Sequence, residues 1–293
     1  MDADYLAYYA AGNDQTSPGR ARLNALGKIE AMQAMTGSER TVLHLTAQES
    51  NKGWRGLLAT TRPYQGQRLP RKPNNWRSLR DWMETYQGPA FKSKIWTDRE
   101  ADDGIAYHST VLGSDLAAIA TADKDMRMFG GVHIDWTTYD IVQVPHGAYK
   151  IMGSNGKLYG TKWFWQQMLQ GDTADNIPGL ERYTKPNGTP GRVGEKTAVK
   201  LLASVETHSE AAATVIQLYQ DTYQDDWPER VAEQATLLWM RLDKQAAVSS
   251  WLEAFRTVLE YYPELEVVGA QQRAWVRRAI KEVADVEANA GRY

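Results

Sequence analysis

Carboxylates recur in this chain where a fold could gather them. "MDADYLAYY" carries Asp2 and Asp4 ahead of an apolar helical run, "DREADD" carries Glu100, Asp102 and Asp103, "ADKD" carries Asp123 and Asp125, and "GDTADNIPG" at 171–179 carries Asp172 and Asp175. Singly these are ordinary N-caps, acidic first turns and solvated corners. Together they imply more. Each like-charge pair at about 4 Å costs on the order of 4 kcal/mol at an effective dielectric of about 20, so converging carboxylates require cations. Oxygen ligands without cysteine or paired histidines select Mg²⁺ or Mn²⁺, and the number of carboxylates points to two ions. Two such ions about 4 Å apart clamp the attacking and leaving oxygens of a phosphodiester, so the implied chemistry acts on phosphate esters.

Such chemistry needs a positive surface, and one window supplies it. From Lys52 to Arg80 the chain holds Lys52, Arg55, Arg62, Arg68, Arg71, Lys72, Arg77 and Arg80 with no acidic residue, interleaved with Trp54, Tyr64 and Trp76. Cations and aromatic rings in one stretch suit a single strand of nucleic acid, with a solvated basic loop as the plain alternative. Downstream, "GRVGEKTAVKLL" at 191–202 places Gly191 and Gly194 before a helix whose first turn holds Lys196 and Thr197. Backbone N–H groups at such a start can face a phosphate.

Elements must bring these residues together. "RTVLHLT" (40–46), "FKSKIWT" (91–97) and "DLAAIAT" (115–121) read as strands, while 20–35, 76–87 and 100–112 read as helices. This alternation predicts an α/β fold with a parallel central sheet, and ligands of such sheets gather at the carboxyl ends of the strands. "VHIDW" and "DIVQV" (132–144) add two strand-like pieces, and "SNGKLYG" (154–160) a small hairpin turn. After residue 160 helical periodicity takes over entirely, with "PNGTPG" (186–191) as the one obvious flexible loop. The expected division is a catalytic core over 1–160 and a helical region over 161–293.

Composition excludes several classes. At 293 residues with 42% hydrophobic and 24% charged positions the chain is an ordinary globular protein with room for a large core. A net charge of −2 gives no general affinity for polyanions, so any such affinity must be local. The lack of cysteine removes disulfides and thiol nucleophiles, and the five histidines are scattered. No run approaches a membrane span and no signal peptide is recognisable, so a cytosolic protein is expected, in the host cytoplasm if viral.

"GDTADNIPG … GRVGEKTAVKLL" resembles the signature of the flap endonuclease and 5′→3′ exonuclease family, a GDxxDNIPG segment leading into a helix–three-turn–helix DNA-binding element. "READD" and "TADKD" resemble the family's acidic motifs in the same order, and "RPYQGQRLPRKP" its YKxNR-type segment. The resemblance covers most of residues 2–205, in particular to small bacteriophage exonucleases and the 5′-nuclease domains of bacterial DNA polymerases. It implies a PIN-like core and a two-metal 5′ nuclease acting on 5′ ends or flaps of DNA, with RNA–DNA hybrid as a further substrate and a monomeric state. By that resemblance Asp2, Glu100, Asp102 and Asp103 serve one ion, with Asp103 between sites, and Asp123, Asp125, Asp172 and Asp175 serve the other. Arg68, Arg71 and Lys72 would meet the scissile region under a helical arch at about 60–90. Arg55, Tyr64, Gly191, Gly194, Lys196 and Thr197 would contact DNA, with K⁺ at the glycine turn.

The chain departs from the pattern in places. Where relatives carry an aspartate after the second strand it reads "HLTAQESN", leaving Glu49 as the available substitute, and Gln65 stands where the family has lysine, with Lys72 as a compensating neighbour. "ERYTKPNGTP" is an insertion in the helix–three-turn–helix, and only Met1 precedes Asp2, from which an upstream coding start is expected. These departures keep two alternatives open: a catalytically weakened family member acting as a structure-specific DNA-binding protein, and a metal-dependent ribonuclease of a related acidic-site fold.

Overall fold

A computed structural model describes residues 1–67, 72–113, 116–184 and 188–290. The chain begins with α1 (Ala3–Ala11) and α2 (Pro18–Thr36), followed by β1 (Val42–Thr46), α3 (Arg55–Leu58) and α4 (Trp76–Thr85). Next come β2 (Lys92–Trp96), α5 (Ala101–Leu112) and β3 (Ala118–Thr121), then β4 (Gly131–Asp135), β5 (Ile141–Val144), β6 (Ile151–Met152) and β7 (Leu158–Tyr159). The remainder holds α6 (Lys162–Gln170), β8 (Tyr183–Thr184), β9 (Pro190–Gly191), α7 (Glu195–Leu201), α8 (His208–Tyr223) and α9 (Trp227–Leu238). It ends with α10 (Ser250–Ala254), α11 (Arg256–Leu259) and α12 (Pro263–Ala290). Two compact units result: Met1–Gly53 with Arg68–Phe164 and Met240–Lys244, and Trp54–Gln67 with Trp165–Trp239 and Gln245–Tyr293.

In the first unit β1 pairs parallel with β2, and β3 parallel with β4. Two residues link these ladders. Met1 donates its amine to Val42 O at 2.9 Å and accepts from the His44 amide at 3.0 Å, and the Asp2 amide donates to Ala120 O at 3.0 Å. The carboxyl ends of β1 and β3 thus lie on either side of Asp2. The expected parallel pairing is present in both ladders, and β5 adds an antiparallel edge strand to β4.

Helix signals in this unit are local and strong. α2 opens on Ser17, which accepts from the Arg20 amide, has Pro18 in its first turn and closes on a left-handed Gly37. α5 carries a reciprocal capping box between Glu100 and Asp103. Leu6, Ile29, Leu43, Leu45, Leu79 and Phe91 fill the core between the helices and β1. Each such side chain contributes about 1.5–3 kcal/mol by burial, and Leu43→Ala would cost about 2–5 kcal/mol.

The second unit is mainly helical, with one exception. The expected loop at 186–191 includes residues 186–187, outside the described residues, but Pro190–Gly191 pairs antiparallel with Tyr183–Thr184. The described residues of the insertion thus take part in a small β-ladder, and this half is not all helical. α8 starts on a Thr207–Glu210 capping box and α9 packs against α8, α12 and α3. No described helix is long and apolar enough to cross a membrane.

Candidate metal centre and nucleic-acid interface

The acidic edge of the first unit is built at the carboxyl ends of its strands. Glu100, Asp102 and Asp103 follow β2, and one carboxylate oxygen from each lies within 4.8 Å of the others. The capping box shapes this cluster: Asp103 Oδ2 accepts the Glu100 amide at 3.0 Å, and the Asp103 amide donates to Asp102 Oδ1 at 2.7 Å. Asp103 Oδ1 accepts the Arg241 amide at 2.9 Å, so both oxygens of this fully buried residue are oriented by backbone donors. Three hard oxygens at this separation fit Mg²⁺ or Mn²⁺.

Asp2 and Asp123 continue the edge. Asp2 caps α1 by accepting the Tyr5 amide at 3.0 Å, and takes the Thr121 hydroxyl at 3.0 Å. Burial first, then the charges of Asp4 and Asp123, push the Asp2 carboxyl up to about 7 against the Tyr5 and Thr121 hydrogen bonds. Asp123 caps the 3₁₀ turn Lys124–Met128 by accepting the Asp125 amide at 2.8 Å, and buried Asp125 pairs with Lys124 at 2.9 Å.

The expected gap at the end of β1 is filled by a network that charge patterning did not reveal. Thr46 Oγ1 accepts the Ala101 amide at 2.9 Å, its own amide donates to Asp4 Oδ2 at 3.2 Å, and its carbonyl accepts Arg80 Nη2 at 2.5 Å. Arg80 also pairs with Asp4 and with Glu84. Burial raises the Asp4 pKa, with Arg80 and Thr46 opposing. Glu49 lies exposed in a turn, outside the Glu100–Asp103 cluster.

In the second unit the 171–179 turn is closed on itself. Asp172 and Ile177 exchange backbone hydrogen bonds at 2.9 and 2.7 Å, and Asp172 Oδ1 accepts the Ala174 amide at 2.8 Å. Gly171 and Gly179 both have positive φ, +70° and +66°, and a Cβ on Gly179 would lie 2.3 Å from Gly171 N. Glycine is required by both conformation and space. The 62–67 segment folds onto this turn: Tyr64 Oη donates to Asp175 Oδ2 at 3.0 Å, Gln65 N to Asp175 O at 2.9 Å, and Asn176 Nδ2 to Pro63 O at 2.9 Å. Gln65 is thereby held by its main chain.

The basic window is less of a surface than its sequence implied. Arg55, expected to contact DNA, is 3% exposed and donates to the carbonyls of Leu237 at 3.0 Å and Trp239 at 3.1 Å, capping the end of α9. Arg80 is buried at the acidic edge and Arg62 pairs with Glu181. Trp76 packs against the first unit's core and Trp54 against Leu58, Val248 and Val276, and both rings are half-buried. Lys72 is exposed, its ammonium 3.5 Å from the Trp76 ring centre. Arg68 and Arg71 lie outside the described residues. Gly194 caps α7 in extended conformation and is exposed together with Lys196, Thr197 is half-buried, and Gly191 lies in β9.

No known sequence family matches the chain, and no curated protein sequence matches it. Among solved structures the fold is similar to that of two structures from T5. The D15 protein of bacteriophage T5, co-crystallised with metal ions, aligns with a TM-score of 0.58 at 16% identity, covering 88% of this chain and 97% of that one. The T5 5′-exonuclease with bound zinc aligns with a TM-score of 0.56 at 17% identity over the same shares. At this identity the likeness is one of fold.

Proposed function

We propose that this chain is a divalent-metal-dependent 5′ nuclease that hydrolyses DNA phosphodiesters near 5′ ends or flaps, in replication, primer removal or recombination. The observation that carries this reading is the convergence of Glu100, Asp102 and Asp103 at the carboxyl edge of the sheet in a fold shared with the T5 enzyme. These three residues, with Asp2, would hold one Mg²⁺ or Mn²⁺, and Asp123, Asp125, Asp172 and Asp175 a second. Bound ions of this kind act as Lewis acids that activate water and neutralise phosphate charge. The chain's own groups orient and steer: the Glu100–Asp103 box fixes the carboxylates, and Lys72 with Arg68 and Arg71 would meet the scissile phosphate. α6, the 171–179 turn and α7 would form the helix–three-turn–helix, with Gly191, Gly194, Lys196 and Thr197 along the duplex backbone and K⁺ at the turn. RNA–DNA hybrid is a further candidate substrate, and a monomer suffices.

Hydrolysis of a phosphodiester is extremely slow unaided, so catalysis must supply up to about 20 kcal/mol, and losing carboxylates is close to fatal. Asp102→Ala or Asp123→Ala is expected to abolish Mg²⁺-dependent cleavage of 5′-labelled flap or duplex DNA while binding persists. Full activity in both variants sinks the reading.

One observation favours a second reading, a weakened enzyme that acts as a structure-specific DNA-binding protein. At the end of β1 a threonine, not a carboxylate, meets Asp4 and Arg80. Flap binding in EDTA with no cleavage in either Mg²⁺ or Mn²⁺ would decide for it.

A further inference from the structure

Two buried arginines tie a distant stretch of chain to the acidic cluster. Arg99 and Arg241 are 1% and 0% exposed. The Arg99 guanidinium meets Asp98 twice, Nε to Oδ1 at 3.1 Å and Nη2 to Oδ2 at 2.9 Å. It also donates to three carbonyls of one segment: Arg241 at 3.0 Å, Asp243 at 2.8 Å and Lys244 at 3.0 Å. The Arg241 side chain donates in turn to Gly53 O, from Nη2 at 2.9 Å and Nε at 3.3 Å. The backbone amide between these anchors is the one that donates to Asp103 Oδ1.

A planar guanidinium with five donors in a fixed fork can hold several carbonyls in one geometry, which a lysine ammonium cannot. Burying a cation without partners would be costly, so this complete set of partners fixes the segment rather than merely tolerating it. The position of the Arg241 amide is therefore determined by Arg99, and the rotation of the Asp103 carboxylate by that amide. Glu100 follows, because its own amide donates to the other Asp103 oxygen.

We propose that Arg99, through the Met240–Lys244 segment, positions the Asp103 carboxylate and so sets the affinity of the Glu100–Asp102–Asp103 cluster for a divalent cation. Arg99 is a positioning residue acting through Asp103. The inference rests on the reading of that cluster as a metal site. Groups that orient ligating side chains typically contribute about 10–100-fold in metal affinity.

The test is a Mn²⁺ titration of the full chain, following free Mn²⁺ by electron paramagnetic resonance, for wild type, Glu100→Gln, Arg99→Lys and the core variant Ile29→Val. Affinity for a 5′-flap duplex in EDTA is measured alongside. Arg99→Lys is expected to weaken Mn²⁺ binding about 10–100-fold with flap affinity in EDTA unchanged. Ile29→Val, which lowers the melting temperature without touching the segment, should keep wild-type Mn²⁺ affinity. Unchanged Mn²⁺ affinity in folded Arg99→Lys overturns the proposal, as does an equal loss in Ile29→Val. Should Arg99→Lys not fold, Asp98→Asn, which keeps the carbonyl contacts but removes the anion that anchors the fork, takes its place; a weakened Mn²⁺ affinity supports the proposal and an unchanged one overturns it. Wild type that binds no Mn²⁺, or Glu100→Gln that binds it undiminished, overturns the metal reading of the cluster and the proposal with it.

Discussion

Tyr64 and Asp175 are joined by a hydrogen bond of 3.0 Å from phenol to carboxylate, while the amide of the neighbouring Gln65 holds the Asp175 carbonyl. Side chain and main chain of one aspartate are thus both oriented by the 62–67 segment. Tyr64→Phe keeps the ring and removes the donor. It should cost about 1 kcal/mol in chemical denaturation. On the proposed reading of Asp175 as a metal ligand, cleavage of a labelled flap should slow about 10–100-fold. An unaffected cleavage rate would separate Asp175 from the active centre.

Asp2 should give the metal-free protein a specific pH dependence. Its carboxyl sits at about 7 in the folded state against 3.8 ordinarily, so between these values the folded chain holds a proton that the unfolded chain has released. The associated stability is complete below about pH 4 and is lost as the pH rises towards about 7. Denaturation midpoints in EDTA should fall over that window for wild type and fall less for Asp2→Asn. Parallel profiles would contradict the assignment.

Gly179→Ala should destabilise the second unit. Its backbone is left-handed and the added carbon would meet Gly171 N, so about 1–3 kcal/mol of strain is expected, read as a lower melting temperature. Gly194→Ala, where nothing lies within 4 Å of the added carbon, is the matched control and should be nearly silent in stability.

Two basic residues should behave oppositely. Arg55→Ala removes a buried cap from the end of α9 and leaves carbonyls unpaired, costing about 1–3 kcal/mol in stability with little effect on DNA affinity in the folded fraction. Lys196→Ala, at an exposed helix start, should leave stability unchanged, weaken duplex binding uniformly across sequences and reduce the salt slope by about 1. Fluorescence anisotropy against salt distinguishes the two.

Much of this architecture is legible from local pattern. "VLHLT" is a short apolar run and is buried through its three central residues, and the Glu100–Asp103 spacing announces both a helix start and a carboxylate cluster, because a capping box is completed within four residues. The strand-end rule then leads to Glu100 and Asp123, each just past the end of its strand. What escapes is decided by partners far along the chain. Arg55 meets carbonyls 182 and 184 residues away, and Arg80 meets an aspartate 76 residues away, so charge composition alone assigns both to the surface. The same holds for Thr46, whose role follows from Asp4 and Arg80 rather than from its own type. The β8–β9 ladder is two residues per strand, too short to leave an alternation.

The amide that steers Asp103 belongs to a residue 138 positions further on. During synthesis the amide that completes this hydrogen bond becomes available only after most of the chain has been made, so the Asp103 carboxylate is oriented late. By the same logic a fragment ending near residue 160 would retain Glu100, Asp102 and Asp103 yet lack the amide that aims one of them, so a cation affinity that depends on that amide should not survive in so short a piece.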